Sequence, residues 1–159
     1  RRYHRCRQEI GSRMLALDSY LLARLDIVKA DARFEATKQF FQKIKDQPKA
    51  ITIFTLLELC GIVATSTGKE DAGEIFHRYI SSDDSVIIYP NLLTKDTDDF
   101  WGSLVSESFL RIQRGMRLGD AAILWALETN HEVDTFVTWN TKHFKGKTPL
   151  KILTPSEFL

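Results

Sequence analysis

The chain has 159 residues, 43% hydrophobic and 27% charged, with a net charge of +1. That length suits one domain with a continuous core, and the near-neutral balance excludes a general polyanion binder. No apolar run approaches the ~18–20 residues of a membrane span, and two cysteines, Cys6 and Cys60, make no disulfide framework and fit free thiols in a reducing cytoplasm.

Charge is spread unevenly. Arg1, Arg2, Arg5, Arg7 and Arg13 face a single acid, Glu9, so residues 1–13 carry +4 and the rest about −3. We read residues 1–13 as an N-terminal extension, either vector-derived or a native arm, and residues 14–159 as one domain. Met14 to Asp18 reads as a short buried strand ending in an acid. Helical spacing follows over Tyr20 to about Lys29, through Leu21, Leu22, Leu25 and Val28. A second helix is expected from about Asp31, carrying Phe34, Phe40, Phe41 and Ile44, and broken by Asp46-Gln-Pro48.

Ala50 to Phe54 is β-branched and reads as the second strand. Thr55 then caps a helix running to about Ser66, with Glu58 three residues on as the partner of a capping box and Gly68 as a stop. Lys69 to Ser81 is amphipathic through Ile75, Phe76, Tyr79 and Ile80. Val86 to Tyr89 is the third strand. Thr94 or Thr97 caps a long helix with Phe100, Trp101, Leu104, Phe109, Leu110 and Ile112, ended by Gly115. Gly119-Asp120 opens the most apolar helix, Ala121 to about Glu128. Asp134 to Thr138 is the fourth strand, followed by Asn140, a basic loop, a strand over Lys151 to Leu153, and a turn from Pro155. Strands alternating with helices imply an α/β fold with helices on both faces of a mainly parallel sheet of four to five strands.

Within that fold Asp18, Glu58, Asp120 and Asn140 all fall at the carboxyl ends of strands or in the first turns of the following helices, the edge where open α/β sheets bind ligands. Each has a plain structural reading. Asp18 and Asp120 suit helix N-caps, Glu58 a capping box or solvated face, and Asn140 an Asx turn. Together they are harder to explain that way. Carboxylates ~4 Å apart at an effective dielectric near 20 repel by about 4 kcal/mol per pair. A divalent cation removes that cost, and oxygen donors without a cysteine–histidine cluster suit a hard ion such as Mg²⁺.

The segments Leu15-Ala-Leu-Asp18-Ser19, Ile51-Thr-Ile-Phe-Thr-Leu-Leu-Glu58-Leu-Cys-Gly61, Arg114-Gly-Met-Arg-Leu-Gly-Asp120-Ala-Ala-Ile-Leu and Val137-Thr138-Trp-Asn140-Thr-Lys-His-Phe144 occur in this order from Met14 to the C-terminus. In this they resemble the PIN-domain ribonucleases, most closely the VapC-like toxins of type II toxin–antitoxin pairs. The resemblance implies a three-layer αβα sandwich and a Mg²⁺- or Mn²⁺-dependent endoribonuclease that hydrolyses RNA phosphodiesters. Asp18, Glu58 and Asp120 map onto the family's acids and would be its metal ligands, with Asn140 at its fourth position, which is Asp in many members. Thr138 matches a family hydroxyl. With Arg114, Arg117 and Lys142 it is expected to contact substrate, and His143, Lys145 and Lys147 are further basic residues on the same edge. Of these, His143 is read as a loop or packing histidine. A cognate antitoxin and a homodimer are the implied protein partners. The family often has a small or amide residue where this chain has Tyr20. Together with Asn140, that departure leaves a second reading open, a catalytically weak or inactive PIN-like RNA-binding or scaffold module.

Overall fold

The computed structural model describes residues 13–27, 32–90 and 96–159. Five strands form one fully parallel sheet: β1 (Met14–Leu17), β2 (Lys49–Thr52), β3 (Val86–Ile88), β4 (Val133–Val137) and β5 (Lys151–Leu153). Their spatial order is β3-β2-β1-β4-β5. From β1 the chain therefore builds outward to β3 on one side, then returns to β4 and β5 on the other. The reversal leaves a crevice at the carboxyl ends of β1 and β4, where open parallel sheets bind ligands.

Alternation along the strands supplies both cores. Met14, Ala16, Ala50, Phe136 and Ile152 pack on one face with Met116 and with Ala121, Ile123, Leu124 and Leu127 of α6 (Leu118–Glu128). Leu15, Leu17, Ile51 and Val137 face the opposite core. There they meet Leu21 and Leu22 of α1 (Ser19–Asp26), Phe40 of α2 (Phe34–Lys43), Leu56, Leu59 and Val63 of α3 (Ile53–Ser66), and Ile75 of α4 (Lys69–Ser81). The result is three layers, helix–sheet–helix, as expected. The long helix α5 (Thr97–Gln113) lies against α6. It is tied there by Arg111, whose guanidinium pairs with Glu107 on its own helix and Glu128 on α6.

Several element boundaries differ from those predicted. The second strand stops at Thr52, because the Thr52 hydroxyl accepts a hydrogen bond from the Thr55 amide at 2.9 Å and so caps α3. Ile53 and Phe54, expected in the strand, are helical despite their β preference. The expected capping box of Thr55 and Glu58 is thus absent, and Glu58 lies in the second turn of α3 with its carboxylate free for other partners. Asp96 caps α5 by accepting from the Asp98 amide, with Thr97 as the first helical residue; Thr94 lies outside the described residues. α6 begins at Leu118 behind Arg117, which makes no side-chain cap, so Asp120 is the third residue of the helix. The C-terminal segment is a short helix, α7 (Pro155–Phe158), with a full capping box between Thr154 and Glu157. Residues 1–12 and the expected helix ends at Lys29 and Asp31 lie outside the described residues; Arg13 pairs with Asp134 at 3.2 Å.

No helix among the described residues is long and apolar enough to cross a membrane.

Candidate functional site

β1 ends at Leu17, and Asp18 is the next residue, with extended backbone that makes it the N-cap of α1. One of its oxygens, Oδ1, accepts from the Ser19 amide at 2.9 Å. The capping role read from sequence is therefore real, but it occupies only half of the carboxylate. The other oxygen, Oδ2, accepts from the Thr138 hydroxyl at 2.6 Å, and Thr138 Oγ1 in turn accepts from the Asn140 amide at 2.9 Å. Residues 120 positions apart are joined because β1 and β4 are adjacent parallel strands ending at the same level. Both Asp18 and Thr138 are buried, at 3% and 0% exposure.

Glu58 reaches the same place from α3. The Ser19 hydroxyl donates to Glu58 Oε2 at 2.6 Å and lies 3.4 Å from Asp18 Oδ1, so one buried side chain bridges the two acids. Glu58 Oε1 also approaches Gly119, in the first turn of α6: a Cβ built at Gly119 would lie 3.9 Å from it. Asp120, one residue on, has its carboxylate in the first turn of α6, where unpaired backbone amides favour negative charge. Its Oδ2 lies 3.3 Å from His143 Nδ1, and the two side chains are 17% and 29% exposed.

These placements act on one another electrically. Asp18 is pushed up from 3.8 to about 7. Burial is the largest cause, since it penalises the charged form. The Thr138 hydroxyl and the Ser19 amide pull the other way, while the carboxylates of Glu58 and Asp120 push it further up. Acids from three separate elements thus share one electrostatic neighbourhood. Among the described residues, the only basic group within ion-pair reach of any of them is the His143 ring. The donor chemistry fits a hard divalent cation: oxygen atoms, two or more acids and, among the described residues, no lysine or arginine paired with them. The side chains are not closed around an ion, however. Among the described residues no three acidic, histidine or cysteine side chains stand close enough to hold one together.

Of the residues expected to meet substrate, Thr138 lies beneath the site rather than on its surface, and its hydroxyl is spent on Asp18 and Asn140. Arg114 and Arg117 are exposed at the end of α5 and the start of α6, and Lys142 is exposed beside His143; none makes an ion pair among the described residues. Lys145 is paired with Glu157 at 3.0 Å and Lys147 donates to the Gly115 carbonyl at 3.3 Å, so both are engaged within the fold. The Trp139 indole donates to Thr37 Oγ1 at 3.1 Å, consistent with packing beneath the site. Trp125 is core, whereas Trp101 is 57% exposed.

Sequence reasoning passed over two residues. Ser19 was visible only as the neighbour of Asp18, and its bridging role depends on where α3 starts. His143 had the look of a loop histidine. A turn of 3₁₀ helix over Thr141–His143, in which the His143 amide donates to the Asn140 carbonyl at 2.9 Å, brings it back to Asp120.

No family model matches the sequence, and no curated protein matches it either. Solved structures do. A chain of VapBC2 from Rickettsia felis, crystallised on a promoter DNA fragment, superposes with a TM-score of 0.59 at 19% identity, covering 89% of this chain and 98% of that one. VapC20 of Mycobacterium tuberculosis, a toxin that cleaves the sarcin–ricin loop, gives 0.57 at 14% identity, over 77% and 86%. FitAcB from Neisseria gonorrhoeae gives 0.56 at 14% identity, over 90% and 99%. At these identities the likeness concerns the fold alone: the chain shares the PIN-like α/β fold of these proteins, with its parallel sheet in the order β3-β2-β1-β4-β5.

Proposed function

We propose that the chain is a Mg²⁺- or Mn²⁺-dependent endoribonuclease that hydrolyses RNA phosphodiester bonds, and that it acts in the cytoplasm as the toxin of a toxin–antitoxin pair, with residues 14–159 as its single domain. The observation that carries this reading is the Asp18 carboxyl, bridged to Glu58 through Ser19 at the β1–β4 crevice and pushed up to about 7 chiefly by burial and further by the charges of Glu58 and Asp120. A fold keeps mutually repelling acids at a ligand-binding edge at a cost in stability, and a bound cation offsets that cost. In this reading Asp18 and Asp120 are direct ligands, and Glu58 serves through water or orients the attacking water. A divalent ion held there would supply Lewis acidity to a bound water and to the phosphoryl oxygens.

The protein's own groups do the positioning. Thr138 fixes one oxygen of Asp18, the Ser19 amide fixes the other, and the Ser19 hydroxyl keeps Glu58 turned toward them. Asn140 lies at the rim, anchored through its backbone. Arg114, Arg117 and Lys142 are free to meet phosphates on either side of the acids. The test is cleavage of defined RNAs with Mg²⁺, Mn²⁺ or EDTA. Asp18→Asn and Asp120→Asn should each abolish metal-dependent cleavage, and full activity in both would reject the mechanism.

The solved VapBC2 and FitAcB assemblies support an antitoxin partner for this fold. An open groove of about 650 Å³ on the α1–α3–α4 side, lined by Ile27, Val63, Thr67, Asp71, Glu74, Ile75 and Arg78 and by none of Asp18, Glu58 or Asp120, is where we place that contact. A homodimer is supported by α5, where Trp101, Val105, Phe109 and Ile112 recur at helical spacing and stay exposed. Sedimentation of Val105→Glu should show monomers where the parent shows dimers. One observation favours the second reading, an RNA-binding or scaffold module without catalysis: the open arrangement of the three acids. RNA binding that persists with no cleavage under any divalent ion would establish it.

A further inference from the structure

We propose that His143 is itself a ligand of this metal centre, offering Nδ1 beside Asp120 Oδ2, so that the site takes Mn²⁺ and the later first-row ions in preference to Mg²⁺. The inference rests on the divalent-metal reading above and gives the site a mixed nitrogen–oxygen character that three acids and an amide do not have.

The two atoms stand at a separation that ligands on adjacent corners of one ion would also have, and Asp18 and Glu58 would have to close toward them for the ion to be held. Nδ1 and Oδ2 face each other at 3.3 Å. A good hydrogen bond between them would be about 2.7–3.2 Å, and the ring makes none among the described residues. Two donors at ~2.1 Å from an octahedral ion and at right angles to each other stand about 3 Å apart. The separation therefore suits donors that share a cation between them. The ring is also held in place. The His143 amide is bonded to Asn140, and the imidazole lies beside Phe144, whose buried ring packs edge-on against Phe136 at 5.0 Å. Its remaining 29% exposure leaves the nitrogen reachable from the crevice.

Imidazole binds the later first-row ions far better than it binds Mg²⁺, which favours carboxylate, carbonyl and water oxygens. One nitrogen added to an otherwise oxygen site is therefore a selectivity device. Loss of an outer partner of a metal ligand commonly costs 10–100-fold in affinity, and a direct ligand should cost no less.

Pulsed electron paramagnetic resonance on the full-length protein loaded with Mn²⁺ tests this directly. The expected spectrum carries nitrogen coupling of the imidazole type, which changes when histidine alone is labelled with ¹⁵N and disappears in His143→Ala. The same variant should bind Mn²⁺ about tenfold or more weakly by titration calorimetry, with Mg²⁺ affinity falling less than about threefold. The labelled parent keeps the test decisive should the variant fold poorly. Mn²⁺ binding without histidine coupling, or coupling that persists in His143→Ala, overturns the proposal and leaves the nuclease reading standing. No Mn²⁺ binding at millimolar concentration overturns both.

Discussion

Replacing Asp18 with Asn should make the metal-free protein more stable at pH 8 and level with the parent or slightly less stable at pH 4.5. The carboxyl titrates near 7 in the folded chain and near 3.8 in the unfolded one. With a raised folded value, the folded state holds the proton more tightly, so its contribution is complete below about pH 4 and is lost as pH rises through about 7. About three pKa units correspond to about 4 kcal/mol. Asn carries no charge and avoids that loss. Its amide oxygen can still accept from Ser19, but its NH₂ then faces Thr138 Oγ1, which already accepts from Asn140, and the mismatch costs about 1–2 kcal/mol. At pH 8 in EDTA the variant should therefore gain about 2–3 kcal/mol, or roughly 5–10 °C in Tm for a chain of this size. At pH 4.5 the folded parent's carboxyl is neutral while the unfolded chain's is largely ionised, so about 1 kcal/mol of the loss has already set in and the mismatch leaves the variant level with the parent or slightly less stable. Urea denaturation of both proteins from pH 4.5 to 8 should give curves that meet or cross at the acid end. A difference that does not change with pH, or a variant less stable at pH 8 in EDTA, would show that Asp18 is not electrostatically burdened as argued. Saturating Mg²⁺ should stabilise the parent more than the variant, since only the parent retains the charge that attracts it.

Ser19→Ala should release Glu58 from its 2.6 Å hydrogen bond and weaken Mn²⁺ binding by about tenfold, read by calorimetry, because the third acid is no longer held toward the site. Thr138→Val removes both the donor to Asp18 and the acceptor for the Asn140 amide. It should cost about 2–3 kcal/mol in urea denaturation at pH 8 and move the carboxyl titration of Asp18, followed by NMR, further upward. Arg111→Leu leaves Glu107 and Glu128 facing each other without their shared cation. It should destabilise the protein by about 2 kcal/mol, less than a fully buried pair because both acids retain some exposure, and it should leave metal binding unchanged.

The sequence carried the layers well because their signals are local. Alternation in β1 and β4, the apolar run of α6 and the order of helices and strands each fix an element without reference to the rest. The boundary between β2 and α3 was less legible. Ile51 to Phe54 is continuously apolar and β-branched in part, and nothing in that run says where the strand stops. The stop is chosen by Thr52, whose hydroxyl finds the Thr55 amide only once the backbone has already turned. That choice has consequences for the site. With Thr55 as the cap, Glu58 would be consumed in a capping box. With Thr52 as the cap it lies in the second turn of α3, and the Ser19 hydroxyl takes it instead.

The same distinction explains what could be read of the site. Asp18, Glu58 and Asp120 were legible as chemistry, because three acids on one sheet edge need an explanation that no single helix cap provides. The groups that aim them were less so: Thr138 stood out only through a resemblance, and as a substrate contact, while Ser19 and His143 were passed over. The three act through contacts spanning 120, 39 and 23 positions in sequence, and a hydroxyl or an imidazole gives no pattern that predicts such a partner. Burial then converts placement into function. A carboxylate on an exposed helix cap would gain little from a cation. Asp18, sealed beneath the crevice with two other acids nearby, is driven toward its neutral form unless a positive charge arrives. In the proposed nuclease, a bound cation would relieve that burden on the same residues that hold it.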